Sequence, residues 1–209
     1  MALPSQFAFR TVKAVGVVDA HPSYTSVYNV ADVNCRIAQY SPCGRWWAWA
    51  TPTSVNVIET TSSTTVMTLP LNNVFELEFS PRGTYLSTLQ RLAKDEAGDA
   101  SKNLKVWKVQ ATSEQTADLP EPVGQFVQKQ NEGWNLYYTA DEKYCARLVT
   151  NEVQFYESSD LKTVWNKLHV DGVRGFALGP QNQVVAVYVP PKQVRRQKSP
   201  LPMFHAWAC

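Results

Sequence analysis

Cys35-Arg36-Ile37-Ala38-Gln39-Tyr40-Ser41-Pro42-Cys43-Gly44-Arg45-Trp46-Trp47-Ala48-Trp49-Ala50, followed by Val55-Asn56-Val57-Ile58-Glu59, reads as strand, tight turn, strand, short loop, strand. The pattern recurs three more times. Counted from Gly44, the equivalent turn positions are Gly83, Glu142 and Asn182, spaced 39, 59 and 40 residues apart. A period of roughly 40 residues with several short strands per unit is the mark of a propeller blade.

Position by position, the register holds. Four residues before the turn stand Tyr40, Phe79, Tyr138 and Leu178, and six before it Ala38, Leu77, Leu136 and Phe176. Apolar residues at period two give an inner strand with one buried face. Three residues after the turn stand Trp47, Leu86, Cys145 and Val185, and four after it Ala48, Ser87, Ala146 and Ala186. The first set is expected at equivalent buried positions, and the small residues of the second set let neighbouring sheets approach. Val55 and Val57, and Val153 and Phe155, mark a third strand. In the second copy an insertion of about ten residues, roughly Arg91 to Lys102, delays that strand to Leu104 and Val106. The fourth copy has Gln193 and Arg195 at the matching places. The expected fold is therefore all-β: an incomplete, WD-repeat-like β-propeller of about three full blades plus parts of two others.

Phe7 to Arg10 and Lys13 to Val18 are β-prone runs ahead of the first complete blade. They are expected to wait for a partner strand from the far end of a ring, with Asn29 to Asn34 leading into the first inner strand. Outer strands are expected within Thr60 to Leu69, Ala111 to Gln130 and Thr163 to Val170. Leu92 to Ser101 carries Lys94, Asp95, Glu96, Gly98 and Asp99 and reads as an exposed, mobile loop, dispensable for folding. No stretch sustains a helical period.

At 209 residues and 44% apolar content, the chain can bury a sizeable core. Its longest apolar run, Val184 to Val189, is far shorter than the roughly 20 residues a membrane helix needs. No secretory signal pattern is read at Met1 to Arg10. The formal charge of +2 conceals an asymmetry, because Lys192, Arg195, Arg196 and Lys198 lie in a segment without acids. Without those four, 16 basic residues face 18 acidic ones, so charge gives no argument for nucleic-acid binding. The expected organisation is a propeller part over residues 1–191 and a basic, disordered tail over 192–209.

Chemistry-bearing motifs are sparse. Cys35, Cys43, Cys145 and Cys209 show no paired spacing and read as buried free thiols. His21, His169 and His205 are scattered and read as surface or turn residues. There is no nucleophile elbow, phosphate loop or metal-binding helix motif, so no catalytic, cofactor or metal residue is assigned. Trp46, Trp47 and Trp49 could stack bases. Alternation sends Trp46 and Trp47 to opposite faces, however, and Trp47 holds the repeat's core position, which favours packing between blades. The basic segment from Lys192 to Lys198 could bind RNA or an acidic partner, against the simpler reading of a solvated charge run.

Ser41-Pro42-Cys43-Gly44-Arg45, Phe79-Ser80-Pro81-Arg82-Gly83-Thr84-Tyr85-Leu86-Ser87-Thr88, Asn103-Leu104-Lys105-Val106-Trp107 and Gly133-Trp134 together resemble the eukaryotic translation initiation factor 2A family. Their order and spacing match from about Ser5 to Pro191. The resemblance implies a cytoplasmic, non-enzymatic factor of protein synthesis that binds the small ribosomal subunit and helps deliver initiator methionyl-tRNA. Its implied partners are the small subunit, initiator tRNA, mRNA and other initiation factors. The resemblance implies no cofactor, no small-molecule substrate and no membrane, and it fixes no ribosome-binding or tRNA-binding residue. A WD-repeat scaffold that holds protein partners only is the alternative.

Overall fold

The computed structural model describes residues 5–94, 98–110, 120–129, 133–179 and 184–191. Those residues form seventeen strands and no helix. In chain order they are β1 (Gln6–Arg10), β2 (Ala14–Asp19), β3 (Ser26–Ala31), β4 (Ile37–Tyr40), β5 (Trp46–Ala50), β6 (Val55–Glu59), β7 (Thr64–Leu69), β8 (Val74–Phe79) and β9 (Tyr85–Gln90). β10 (Leu104–Lys108), β11 (Gly124–Phe126), β12 (Tyr137–Tyr138), β13 (Tyr144–Val149), β14 (Glu152–Glu157), β15 (Asn166–His169), β16 (Gly175–Leu178) and β17 (Val185–Tyr188) follow. They build three four-stranded antiparallel sheets, β4 to β7, β8 to β11 and β12 to β15, between a three-stranded sheet, β1 to β3, and a two-stranded one, β16 and β17. This is an incomplete propeller: three full blades and parts of two others.

One turn design recurs in each full blade, and it explains why the turn position could be read from the sequence. The amides of Ser41, Ser80 and Thr139 each donate at 2.9 Å to the carbonyl five residues on, and their hydroxyl oxygens accept from that same residue's amide. The hairpin closes through Gly44, Gly83 and Glu142, whose φ values are +74°, +77° and +59°. A left-handed conformation suits glycine. Glu142 fills it in the third blade, with its Oε1 accepting the backbone N–H of Arg82 in the blade before.

Packing follows the period-two alternation. On β5, Trp46, Ala48 and Ala50 enter the core shared with the second blade, while Trp47 and Trp49 enter the core shared with β1 to β3. Both faces of this strand are buried, so all five residues are. Tyr85, Leu89 and Val106 meet Leu136, Cys145 and Tyr156 between the second and third blades, and Ala146 and Val153 meet Val173 beyond the third. Inner strands turn the apolar pair read from the sequence toward the preceding blade: Ala38 and Tyr40, Leu77 and Phe79, Leu136 and Tyr138, Phe176 and Leu178.

Trp47, Leu86 and Cys145 are fully buried, as their shared register requires. Val185 is only half-buried and Ala186 is exposed, against expectation. The reason is that the last sheet has two strands among the described residues, and no sheet covers its far side. Asn182, the fourth turn position, lies outside the described residues, as do Lys192 to Cys209. The expected third inner strand is also shorter than read, confined to Tyr137–Tyr138.

The first sheet adds to the sequence reading. The runs Phe7 to Arg10 and Lys13 to Val18 pair with each other and with Ser26–Ala31, a strand that only partly overlaps the expected lead-in Asn29 to Asn34. With β1 and β2 shifted by 40 residues and β3 by 39, the register of this sheet matches that of β5 to β7: Gln6↔Asp19 answers Trp46↔Glu59, Val17↔Tyr28 answers Val57↔Met67, and the bulge at Val17/Val18 answers the bulge at Val57/Ile58. The amides of Thr11 and Thr51 both donate at 2.8 Å to the carbonyl three residues on, again 40 apart. β1 to β3 are thus the second, third and outer strands of a blade. Its innermost strand, the counterpart of β4, is absent among the described residues.

Gly44 and Gly83 share a backbone conformation but differ in surroundings. A Cβ on Gly44 meets nothing within 4 Å, whereas one on Gly83 falls 2.7 Å from Trp46 Cδ1 and 3.0 Å from Cys43 Sγ. Gly44→Ala should therefore cost about 1 kcal/mol, the left-handed strain alone. Gly83→Ala should cost about 1 to 3 kcal/mol more, because the added methyl overpacks against the preceding blade. Urea denaturation of the two variants checks this, and equal losses would contradict the turn-to-turn contact.

Candidate functional site: a groove beside the first sheet

Where the innermost strand of the first blade is absent, the structure has a groove of about 520 Å³. Gln6, Phe7, Ala8, Phe9 and Arg10 of β1 form one wall, and Ile37, Ala38, Gln39, Tyr40 and Trp47 form the other. Among the described residues, β1 pairs with β2 along one edge only. Its outward edge can be assigned from the sheet whose register it shares. In β5 the carbonyls of Trp46 and Ala50 accept from Ser41 N and Arg36 N of the inner strand, so alternate residues of the second strand point inward. The matching residues of β1 are Gln6, Ala8 and Arg10.

The chemistry of the walls is mixed. Phe7 is 46% exposed, whereas its counterpart Trp47 is 1% exposed. The Tyr40 hydroxyl is buried without a hydrogen-bond partner, and burial raises its pKa. Gln6 Nε2 donates to Asp19 Oδ1 at 3.1 Å, and Arg10 reaches across the groove to donate to the carbonyl of Arg36. Arg10 is the groove's only charged lining residue.

Elsewhere the residues singled out from the sequence do not converge. Trp46, Trp47 and Trp49 are buried between blades, so none of the three rings offers a face for stacking bases. His21 and His169 are exposed, the latter 3.2 Å from Asp171, and His205 lies outside the described residues. No cluster of three or more His, Cys, Asp or Glu that could hold a metal occurs among the described residues. Around the insertion, Leu92 to Lys94 and Gly98 to Ala100 are exposed, and the base is closed by the Ser101 amide donating to the Ala93 carbonyl at 2.8 Å. Asp95 to Ala97 lie outside the described residues.

Burial shifts several ionisable groups toward their uncharged forms. Burial pushes the Cys145 thiol up to about 12 and raises that of Cys35. Burial also raises the Glu78 carboxyl, although a hydrogen bond from Asn135 opposes the shift. Arg147 packs its guanidinium 4.3 Å over the Phe126 ring and donates to Gln128 Oε1 at 3.0 Å, and burial lowers its pKa. Cys35, Cys145 and Arg147 are buried, and Glu78 is half-buried.

No protein-family model matches the chain. The chain is 44% identical over 197 residues to eukaryotic translation initiation factor 2A of Schizosaccharomyces pombe, covering 92% of this chain and 33% of that protein. It is 29% identical over 161 residues to the Saccharomyces cerevisiae protein of the same name, covering 75% of this chain and 25% of that one. A solved crystal structure of a eukaryotic initiation factor superposes with a TM-score of 0.82 at 43% identity, over 92% of this chain and 48% of that one. The chain thus spans about a third or less of the length of these curated relatives.

One cysteine departs from the sequence reading. Cys43 is exposed at the first blade's turn, while Cys35 and Cys145 are buried. Its solvent-facing turn position explains the difference. A thiol reagent at pH 8 should modify Cys43 within minutes and leave Cys35 and Cys145 intact until denaturant is added, because the thiolate is the reactive form. Peptide mapping by mass spectrometry reads the order, and early loss of Cys145 would contradict the buried register.

Proposed function

The chain belongs to the eukaryotic translation initiation factor 2A family, and from that membership we propose that it acts in the initiation of protein synthesis. It binds the small ribosomal subunit there and helps bring initiator methionyl-tRNA to the start of an mRNA. The observation that carries the reading is the 44% identity sustained over 92% of the chain. It works in the cytoplasm, as a binding module rather than an enzyme. The blades supply a rigid arc of loops and strand edges, and binding to RNA and protein surfaces needs no reacting group.

The described surface makes a commitment about how such binding works. With 16 basic against 18 acidic residues outside the four cations at 192–198, net charge gives this part of the chain no reason to hold RNA by counterion release alone. Contacts with the subunit therefore include protein surface, and other initiation factors are natural partners. The alternative, a scaffold for proteins only, draws on the same near-neutral charge.

Co-sedimentation with purified small subunits tests the reading. The chain should pellet with them at about 50 mM salt and be released only gradually as salt rises, with a shallower slope than a protein making 6–10 phosphate contacts. Absence from the pellet at low salt, with the fold intact by circular dichroism, rejects ribosome binding. Pelleting that disappears when the subunit's proteins are stripped leaves the scaffold reading.

A further inference from the structure

We propose that the seam between the sheets β8 to β11 and β12 to β15 is a hinge, clamped at its turn end and outer margin and able to open along its inner strands while the other sheets stay packed. This seam differs in four respects from the one between β4 to β7 and β8 to β11. The strands that flank it are the two shortest of the seventeen, β11 with three residues and β12 with two. β4 and β8 lie against each other, as do β12 and β16, but the inner strands β8 and β12 make no comparable contact. Eight buried residues form its apolar core, against fourteen in the other seam, so less apolar burial holds it shut. Among the described residues, four of the six buried side-chain polar atoms without a well-formed hydrogen bond are on it: Tyr138 Oη, Glu142 Oε2, Arg147 Nε and Ser158 Oγ. Each is desolvated on closing and gains no partner in return, so part of the seam's burial opposes closure. None of the six is in the other seam, where the Trp107 indole donates to Thr88 Oγ1 at 3.0 Å.

The placement of the contacts sets the direction of movement. At the turn end Arg82 donates twice to the third blade, from its amide to the Glu142 carboxylate and from Nε to the Ala140 carbonyl, and Tyr85 stacks on Tyr138. At the outer margin Gly124 lies so close to Leu161 that a Cβ on it would collide. At the opposite end, Trp134 to Leu136 reach β12 without joining the sheet. There Asn135 meets the half-buried Glu78 carboxyl, and Arg147 donates to Gln128 Oε1 at 3.0 Å, through side chains that can follow a moving backbone. Opening therefore separates the loop bases on that rim, Ala93 and Ser101 of the second blade from Thr150 and Asn151 of the third, and changes the spacing at which the two blades present their loops. This inference does not depend on ribosome binding.

Val57 and Val106 hold the same register on the third strands of the first and second blades, and both are 0% exposed. Val57 faces the seam between the first and second blades, and Val106 the seam between the second and third. Val57→Cys and Val106→Cys in the 209-residue chain therefore place the same small thiol in each. Both variants are treated with a thiol reagent at urea concentrations below the unfolding transition seen by circular dichroism. The thiol of Val106→Cys should react about tenfold or more faster, with a shallow dependence on urea, because local opening exposes little surface. That of Val57→Cys should follow the steep dependence of global unfolding. Cys145 carries the same test without a substitution, since it lies on the opposite wall of the hinge seam, and once urea is present it should share the shallow dependence. Equal rates at the two valine positions, faster reaction in Val57→Cys, or a steep urea dependence at both Val106→Cys and Cys145 overturns the proposal.

Discussion

Both faces of a blade must be covered, and this requirement organises everything else in the protein. A strand such as Trp46-Trp47-Ala48-Trp49-Ala50 has no solvent side, so its blade is stable only between two neighbours. Burying one such side chain stabilises by roughly 1.5–3 kcal/mol, and that gain is realised only when the next sheet arrives. The four apolar cores are accordingly shared between sheets rather than contained within them. Where a neighbour is missing, the same alternation exposes apolar side chains: Phe7 at one end of the arc, and Trp165, Leu168, Val187 and Tyr188 at the other.

Close approach of sheets also shapes the turns. Gly83 lies against Trp46 and Cys43 of the preceding blade, and Arg82 Nε donates to the Ala140 carbonyl of the following one at 2.9 Å. Each turn therefore touches the next. Glu142 occupies a left-handed position that costs a non-glycine residue roughly 1–2 kcal/mol. Its carboxylate accepts the Arg82 amide, a charge-assisted bond that offsets part of that strain. A residue that looks like a departure from the repeat is thus a link between two blades, as is the Tyr85 and Tyr138 stack at 5.6 Å beneath it.

Much of this was legible because the signals are local. Turn chemistry, period-two alternation and the small residue after the large one are set within ten residues, and they placed Trp47, Leu86 and Cys145 correctly. Val185 obeys the same local rule and is nevertheless half-buried, because burial depends on a neighbour that sequence alternation does not describe. The groove was missed for the opposite reason. Gln6-Phe7-Ala8-Phe9 repeats Trp46-Trp47-Ala48-Trp49 in aromatic and small positions, and Val15 and Val17 repeat Val55 and Val57, so the 40-residue shift was there to be read. The strongest local signal of the other copies is a turn preceded by an inner strand, and no inner strand precedes β1 among the described residues.

The two incomplete sheets differ in kind, and the difference decides what each can do. β16 and β17 form an inner pair with its outer side open, where apolar residues such as Val187 and Tyr188 face outward and any covering surface would serve. The first sheet instead has its outer strands in place and no inner one among the described residues, so its opening is narrow, walled on both sides and edged by main-chain groups of β1. A broad apolar face selects weakly, because hydrophobic contact has no direction. A slot one strand wide selects strongly, because a one-residue slip turns every side chain of the incoming strand to the wrong wall. The two openings thus differ in shape for the same reason, since each keeps the alternation of a blade whose neighbour or inner strand is not among the described residues.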